Sequence, residues 1–142
     1  MKSKLNCILL IDDDEPTNFL NRMTLEQADC AKFVQIIQSG QEALDYLMHQ
    51  GKYEYVHDCP HPDLIFLDIN MPAMDGWEFL EKYRQLPQAQ KARIVMIMLT
   101  TSLNPDDQRR AGTIPEIDGF EHKPLRIDRL KEVLKNYFPD RL

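Results

Sequence analysis

Five positions in this chain carry side chains suited to phosphoryl chemistry, and each comes at or just past the end of an apolar or strand-like run. Asp12 and Asp13 follow Cys7-Ile8-Leu9-Leu10-Ile11, and Asp68 follows Leu64-Ile65-Phe66-Leu67. Thr100 follows Ile94-Val95-Met96-Ile97-Met98-Leu99, and Lys123 follows Gly119-Phe120-Glu121-His122. Three carboxylates brought together repel, and their pKa values climb unless a cation compensates. A hard cation with oxygen ligands, Mg²⁺ above all or Mn²⁺ in its place, suits such a set and keeps open positions. A carboxylate such as Asp68 is a competent nucleophile for phosphorus and forms an acyl phosphate. The transferred group spreads charge over its oxygens, so its transfer rests on positioning and neutralisation. Lys123 can neutralise one oxygen, and the Thr100 hydroxyl can donate to another. No residue is placed as a base for attacking water, so a long-lived phospho-aspartate is expected.

These groups meet only if the elements that carry them share one edge. The runs at 7–11, 33–37, 64–67, 94–99 and 119–122 read as five strands. The first, third and fourth lack polar alternation, as central strands covered on both faces do. A helix starts near Glu15-Pro16, with Phe19, Leu20 and Met23 as its apolar stripe. A second starts at Ser39-Gly40 and carries Ala43, Leu44, Leu47 and Met48. A third follows Asp75-Gly76 with Trp77, Leu80, Tyr83 and Leu86, and stops at Pro87. A fourth starts at Asn104-Pro105 and stops before Pro115, and a fifth places Ile127, Leu130, Leu134 and Tyr137 on one face. Strands that alternate with helices mean βαβ units, right-handed crossovers and an α/β fold with helices on both faces of a parallel sheet. Ligands bind such sheets at the carboxyl ends of the strands, where all five groups fall.

A chain of 142 residues predicts one domain, 1–142, with a proper core. The net charge of −6 argues against nucleic acid, since phosphate contacts need a basic patch. The apolar runs are strand-sized, so no membrane span is expected, and the N-terminus lacks the apolar stretch of a signal peptide. Cys7, Cys30 and Cys59 form no disulfide framework and no C-x-x-C motif, which predicts a reducing cytoplasm. The stretch 51–62 reads as a long loop. Its His57-Asp58-Cys59-Pro60-His61 offers zinc-ligating types, but the short spacing and the prolines favour a plain loop with solvated histidines. Arg109 and Arg110 read as a solvated helix face, Trp77 as core, and Asp14 as a helix-start acid rather than a ligand.

Asp12-Asp13 after a strand, Asp68 with Met71-Pro72-Ala73-Met74-Asp75-Gly76, Leu99-Thr100-Thr101, and Lys123-Pro124, in that order, resemble the receiver domain of two-component response regulators. The resemblance covers nearly the whole chain. It implies a doubly wound, flavodoxin-like sheet of order 2-1-3-4-5. It implies that Asp68 accepts a phosphoryl group from a sensor histidine kinase or a histidine phosphotransfer protein. Asp13 and Asp68 would ligate Mg²⁺ directly, Asp12 through water, and Asn70 through its main-chain carbonyl. Lys123 would pair with Asp68 or its phosphate, and the Lys123–Pro124 peptide would be cis. Thr100 and Phe120 would form the switch, and this sequence's own small Thr101, a feature of the chain rather than of the resemblance, leaves the phosphoryl group accessible to donor or water. Pro72, Gly76 and Pro124 would shape the turns that support the site. The readout would be the surface of the fourth helix, fifth strand and fifth helix, acting on an unknown downstream protein and allowing a weak homodimer. The whole resembles stand-alone bacterial receivers paired with phytochrome-type photoreceptors or other sensor kinases. It would be a phosphoacceptor that loses its phosphoryl group slowly, not a multi-turnover enzyme.

Two departures stand out. Phe120 replaces the commoner Tyr and has no hydroxyl, and the segment 111–119 is long for a link into the fifth strand. A phosphatase of the haloacid dehalogenase type also uses an Asp-x-Asp motif, a Thr and a Lys. There, however, Pro16 stands where Thr or Val belongs, and Met71-Pro72 has no role. A receiver-fold adaptor that works without phosphorylation would have no need of the whole set.

Overall fold

The computed structural model describes residues 3–56, 59–91 and 93–141. At its centre lie β1 (Leu5–Ile11), β2 (Ala31–Ile37), β3 (Leu64–Leu67), β4 (Val95–Thr100) and β5 (Gly119–His122), all parallel, in the order β2-β1-β3-β4-β5. Between and after them run α1 (Glu15–Ala28), α2 (Gly40–Met48), α3 (Gly76–Arg84), α4 (Gln88–Lys91), α5 (Pro105–Gly112) and α6 (Ile127–Tyr137). The fold is thus the doubly wound α/β sheet that the strand–helix alternation predicts. The short α4, just past Pro87, was not expected, so the predicted fourth and fifth helices are α5 and α6. β1 and β2 each start two residues earlier than their apolar runs (Leu5 against 7, Ala31 against 33).

Successive residues of a strand point to opposite faces, and both faces are filled. Cys7, Leu9, Ile11, Ile65, Leu67, Met96 and Met98 pack against α2 and α3, which contribute Ala43, Leu44, Phe79, Leu80 and Tyr83. Ile8, Leu10, Leu64, Phe66, Ile97 and Leu99 pack on the other side against Leu25 of α1 and Leu130, Val133 and Leu134 of α6. This double burial is why the central runs carry no polar alternation.

The register sets the level of the strand ends. Ile11 pairs with Leu67 and Leu67 with Met98, so Asp12 and Asp68 emerge side by side. Thr100 pairs with His122, which puts Lys123 just beyond it.

Helix α1 is turned the opposite way from its predicted stripe. Phe19, Leu20 and Met23 are 64%, 51% and 53% exposed, while Asn18, Asn21 and Leu25 are buried. The inner face of α1 meets main-chain polar groups as well as apolar side chains. Asn18 Nδ2 donates to the Asp12 carbonyl at 2.8 Å, and Asn21 Oδ1 accepts the Leu125 N–H at 2.9 Å. Leaving such a buried group unpaired costs about 1–3 kcal/mol, comparable to burying one aliphatic side chain.

Residues 51–56 and 59–62 hold no helix or strand besides one 3₁₀ turn at Gly51–Tyr53, and the Tyr46 hydroxyl donates to the Pro60 carbonyl at 2.8 Å. His57 and Asp58 lie outside the described residues. Cys7 and Cys30 are buried free thiols. Among the described residues, no helix is long and apolar enough to cross a membrane.

Candidate functional site

The carboxyl edge of the sheet brings the acids and the lysine together by main-chain pairing. The Asp68 N–H donates to the Ile11 carbonyl at 2.9 Å, and the Asp12 N–H donates to the Ile37 carbonyl at 3.0 Å. Asp12 is 4% and Asp68 5% exposed, so both carboxylates sit below the surface. Asp13 is exposed above them. Asp14 caps α1 by accepting the Thr17 N–H, as its helix-start reading predicts. The Lys123 N–H donates to the Thr100 carbonyl at 2.9 Å, which fixes the residue where β5 ends.

Lys123 Nζ then lies 2.6 Å from Asp12 Oδ2 and 3.1 Å from Asp68 Oδ1. The expected Asp68 pairing is present, but the shorter contact is to Asp12. Register explains this: Asp12 and Asp68 are neighbours, so one ammonium can bridge them. Burial, and then the Asp12 charge, push the Asp68 carboxyl up to about 6, against the pull of Lys123 and a hydrogen bond to the Ile69 main chain. For Lys123, burial works to lower the pKa, but the hydrogen bonds and charges of Asp12 and Asp68 outweigh it and leave the group raised.

Three carboxylates against one ammonium leave an excess negative charge. Asp12, Asp13 and Asp68 each offer an oxygen, and these atoms lie within 4.8 Å of one another. It is the one cluster of three His, Cys, Asp or Glu side chains of this kind among the described residues. An all-oxygen, partly open, acid-rich set fits a hard divalent cation such as Mg²⁺ or Mn²⁺ and does not suit a soft one. Asn70 stands two residues past Asp68 on the exposed turn.

That turn is held closely. The Met74 N–H donates to the Pro72 carbonyl and the Gly76 N–H to the Ile69 carbonyl, both at 2.7 Å. Ala73 has φ 67°, in the left-handed region. A Cβ on Gly76 would stand 2.5 Å from the Asp68 carbonyl oxygen, so only glycine lets α3 start this close. Asp75 and Glu78 then close a capping box.

The β4–β5 side is built differently. Thr100 is fully buried, and its Oγ1 accepts the Ser102 N–H at 3.1 Å; Thr101 is exposed. Ser102 in turn donates to Asp107 of α5 at 2.5 Å. Phe120 is half-buried, with its ring edge-on to His122 at 5.6 Å between centroids. Phe120 borders a cavity of about 180 Å³ together with Gln108, Ala111, Gly112 and Ile117. The Lys123–Pro124 peptide is cis, as the resemblance implies.

Sequence reasoning missed four contributors. Asn18, Asn21 and Thr24 line the inner face of α1, and their i, i+3, i+6 spacing was the available signal. Arg110 is exposed, in keeping with its solvated reading, but its guanidinium also stacks 4.4 Å from the centre of the buried Trp77 ring, a contact the sequence did not signal.

Comparison with known proteins agrees with this geometry. The family model for the response regulator receiver domain matches residues 8–135. Response regulator Rcp1 of Synechocystis is 37% identical over 100 residues, covering 70% of this chain and 65% of that protein, just under two thirds of its length. A two-component response regulator structure from Cytophaga hutchinsonii superposes with TM-score 0.83 at 31% identity, covering 96% of this chain and 99% of that one. The Mn²⁺-bound form of response regulator Rcp1 superposes with TM-score 0.74 at 26% identity, covering 96% of both chains. With a matching family model over most of its length and the acid cluster at the sheet edge, this chain belongs to the response regulator receiver domain family.

Proposed function

We propose that Asp68 is the phosphoacceptor of a two-component phosphorelay and that the chain, taken as one unit over 1–142, signals by changing its α5–β5–α6 surface. The observation that carries the reading is a buried Asp68 carboxylate bridged to Asp12 by Lys123. Asp68 Oδ attacks phosphorus of a phosphohistidine on a sensor kinase or phosphotransfer protein. A P–O bond forms and the P–N bond breaks; the imidazole nitrogen leaves with the electron pair and takes up a proton. Asp12, Asp13, Asp68 and the Asn70 carbonyl would hold Mg²⁺ or Mn²⁺, which supplies charge neutralisation for the phosphoryl oxygens. Lys123 moves from the Asp68 oxygen to a phosphoryl oxygen and keeps its ion pair with Asp12.

The added charge, roughly −1.5 to −2, biases the β4–β5 side. Thr100 releases the Ser102 N–H and donates its hydroxyl to the phosphoryl group. Phe120 repacks behind it, and Thr101 leaves the approach open to donor and water. The output is contact with a downstream protein or a weak homodimer in the cytoplasm, without nucleic acid or membrane. The chain is a slowly dephosphorylating acceptor rather than a multi-turnover enzyme.

Acetyl phosphate with Mg²⁺ tests this. Intact mass should show one phosphoryl group, peptide mapping should place it on Asp68, and excess chelator should abolish uptake. A label on Asp12, or uptake that survives Asp68→Asn, contradicts the reading.

A further inference from the structure

Between the end of β5 and the start of α6 lie four residues, Lys123, Pro124, Leu125 and the α6 cap Arg126. Lys123 bears the ammonium of the site on a long, flexible stem. Its reach to two buried carboxylates depends on where its main chain is held. On one side, the Lys123 N–H is fixed by the Thr100 carbonyl at 2.9 Å. Pro124 has no N–H to give. On the other side, both main-chain groups of Leu125 are held by α1. Asn21 Oδ1 accepts the Leu125 N–H at 2.9 Å, and Thr24 Oγ1 lies 3.0 Å from the Leu125 carbonyl, closer than the 3.3 Å to the Leu20 carbonyl on its own helix. Asn21 is 1% and Leu125 3% exposed, so water does not compete for the Asn21 bond, and the Thr24 bond is partly buried.

The same helix face holds the other partner of the lysine. Asn18, one turn earlier and 3% exposed, donates to the Asp12 carbonyl at 2.8 Å. One helix therefore grips both the strand end that carries Asp12 and the segment that carries Lys123, residues 111 apart in sequence and 2.6 Å apart at the ion pair. Beside Leu25, amides and a hydroxyl take inner-face places where a helix ordinarily carries apolar residues, while Phe19, Leu20 and Met23 lie outside. A helix that only needed to pack on the sheet would present the opposite arrangement.

We propose that Asn21 and Thr24 are positioning residues for Lys123: by clamping both main-chain groups of Leu125 to α1, they hold the ammonium over Asp12 and Asp68. This rests on the phosphoacceptor reading of Asp68. Neither residue touches the reacting atoms; each acts through Leu125.

The test measures uptake of phosphoryl from acetyl phosphate with Mg²⁺ in the full chain and in its Lys123→Ala background. Wild-type uptake at Asp68 comes first, and its failure would overturn the phosphoacceptor reading, not the clamp alone. Given that uptake, Asn21→Leu and Thr24→Val should each slow it about fivefold, the loss typical of one removed hydrogen bond. In the Lys123→Ala background the same substitutions should leave the slower rate unchanged, because no ammonium remains to misplace. Thr24→Ser keeps the hydroxyl and should restore the wild-type rate. Should Asn21→Leu not fold, Thr24→Val and Thr24→Ser carry the comparison. Equal loss in both backgrounds, no loss in either, or no rescue by Thr24→Ser would overturn the clamp.

Discussion

The two halves of the sheet's carboxyl edge are built to different specifications. On the β1–β3 side, Asp12 and Asp68 are buried, bridged by Lys123 and tied by short main-chain bonds, with Gly76 pressed against the Asp68 carbonyl. On the β4–β5 side, α5 buries one side chain, Ala111, and stands beside a cavity of about 180 Å³. A Cβ on Gly112 would meet nothing within 4 Å. By contrast α3, only one residue longer, buries five: Gly76, Trp77, Phe79, Leu80 and Tyr83. Few buried contacts and nearby free volume mark a segment of low local stability. Under the proposed function this contrast would divide the labour: the rigid half would receive the charge and the loosely held half would change shape.

The largest break in that contrast is Asp68→Asn. It should abolish phosphoryl uptake altogether, read by intact mass, while leaving the fold intact by circular dichroism. Next, Gly76→Ala should destabilise the chain by about 3 kcal/mol in urea, because the new methyl meets backbone that cannot yield. The pH dependence of metal-free stability follows. The folded chain holds the Asp68 proton up to about pH 6, against an ordinary value of 3.8. Between those values the folded state binds more protons than the unfolded one, so stability falls as pH rises. The fall should be about 2 kcal/mol, and Asp68→Asn should remove it; a slope kept in Asp68→Asn would place its origin elsewhere.

The smallest effects lie on the loose half. Arg110→Ala should cost about 0.5–1 kcal/mol in urea and speed amide exchange in α5, since the guanidinium over Trp77 is one of few ties on that helix. Gly112→Ala should be neutral or stabilise by up to about 1 kcal/mol. A loss at Gly112 as large as that at Gly76 would erase the contrast.

The strand ends were legible because buried parallel strands announce themselves as unbroken apolar runs, and the residue after each run is the one at the edge. Strand order followed from the resemblance, and the register bears out Asp12 beside Asp68. Two things were hidden. The α1 stripe was misjudged because counting apolar residues assumes that a helix buries only side chains. Asn21 instead answers a main-chain N–H 104 positions away, which no local window contains. The Lys123–Asp12 contact was hidden because it depends on how β5 sits relative to β1, across two intervening strands.

The most direct measurement is amide exchange, residue by residue, with and without beryllofluoride and Mg²⁺ as the phosphoryl stand-in on Asp68. Changes should concentrate in 100–122, across the end of β4, α5 and β5, with the β2 and α2 amides unmoved. Changes confined to Asp68 and its immediate neighbours, or spread evenly over the sheet, would contradict a rigid acceptor half coupled to a movable readout half.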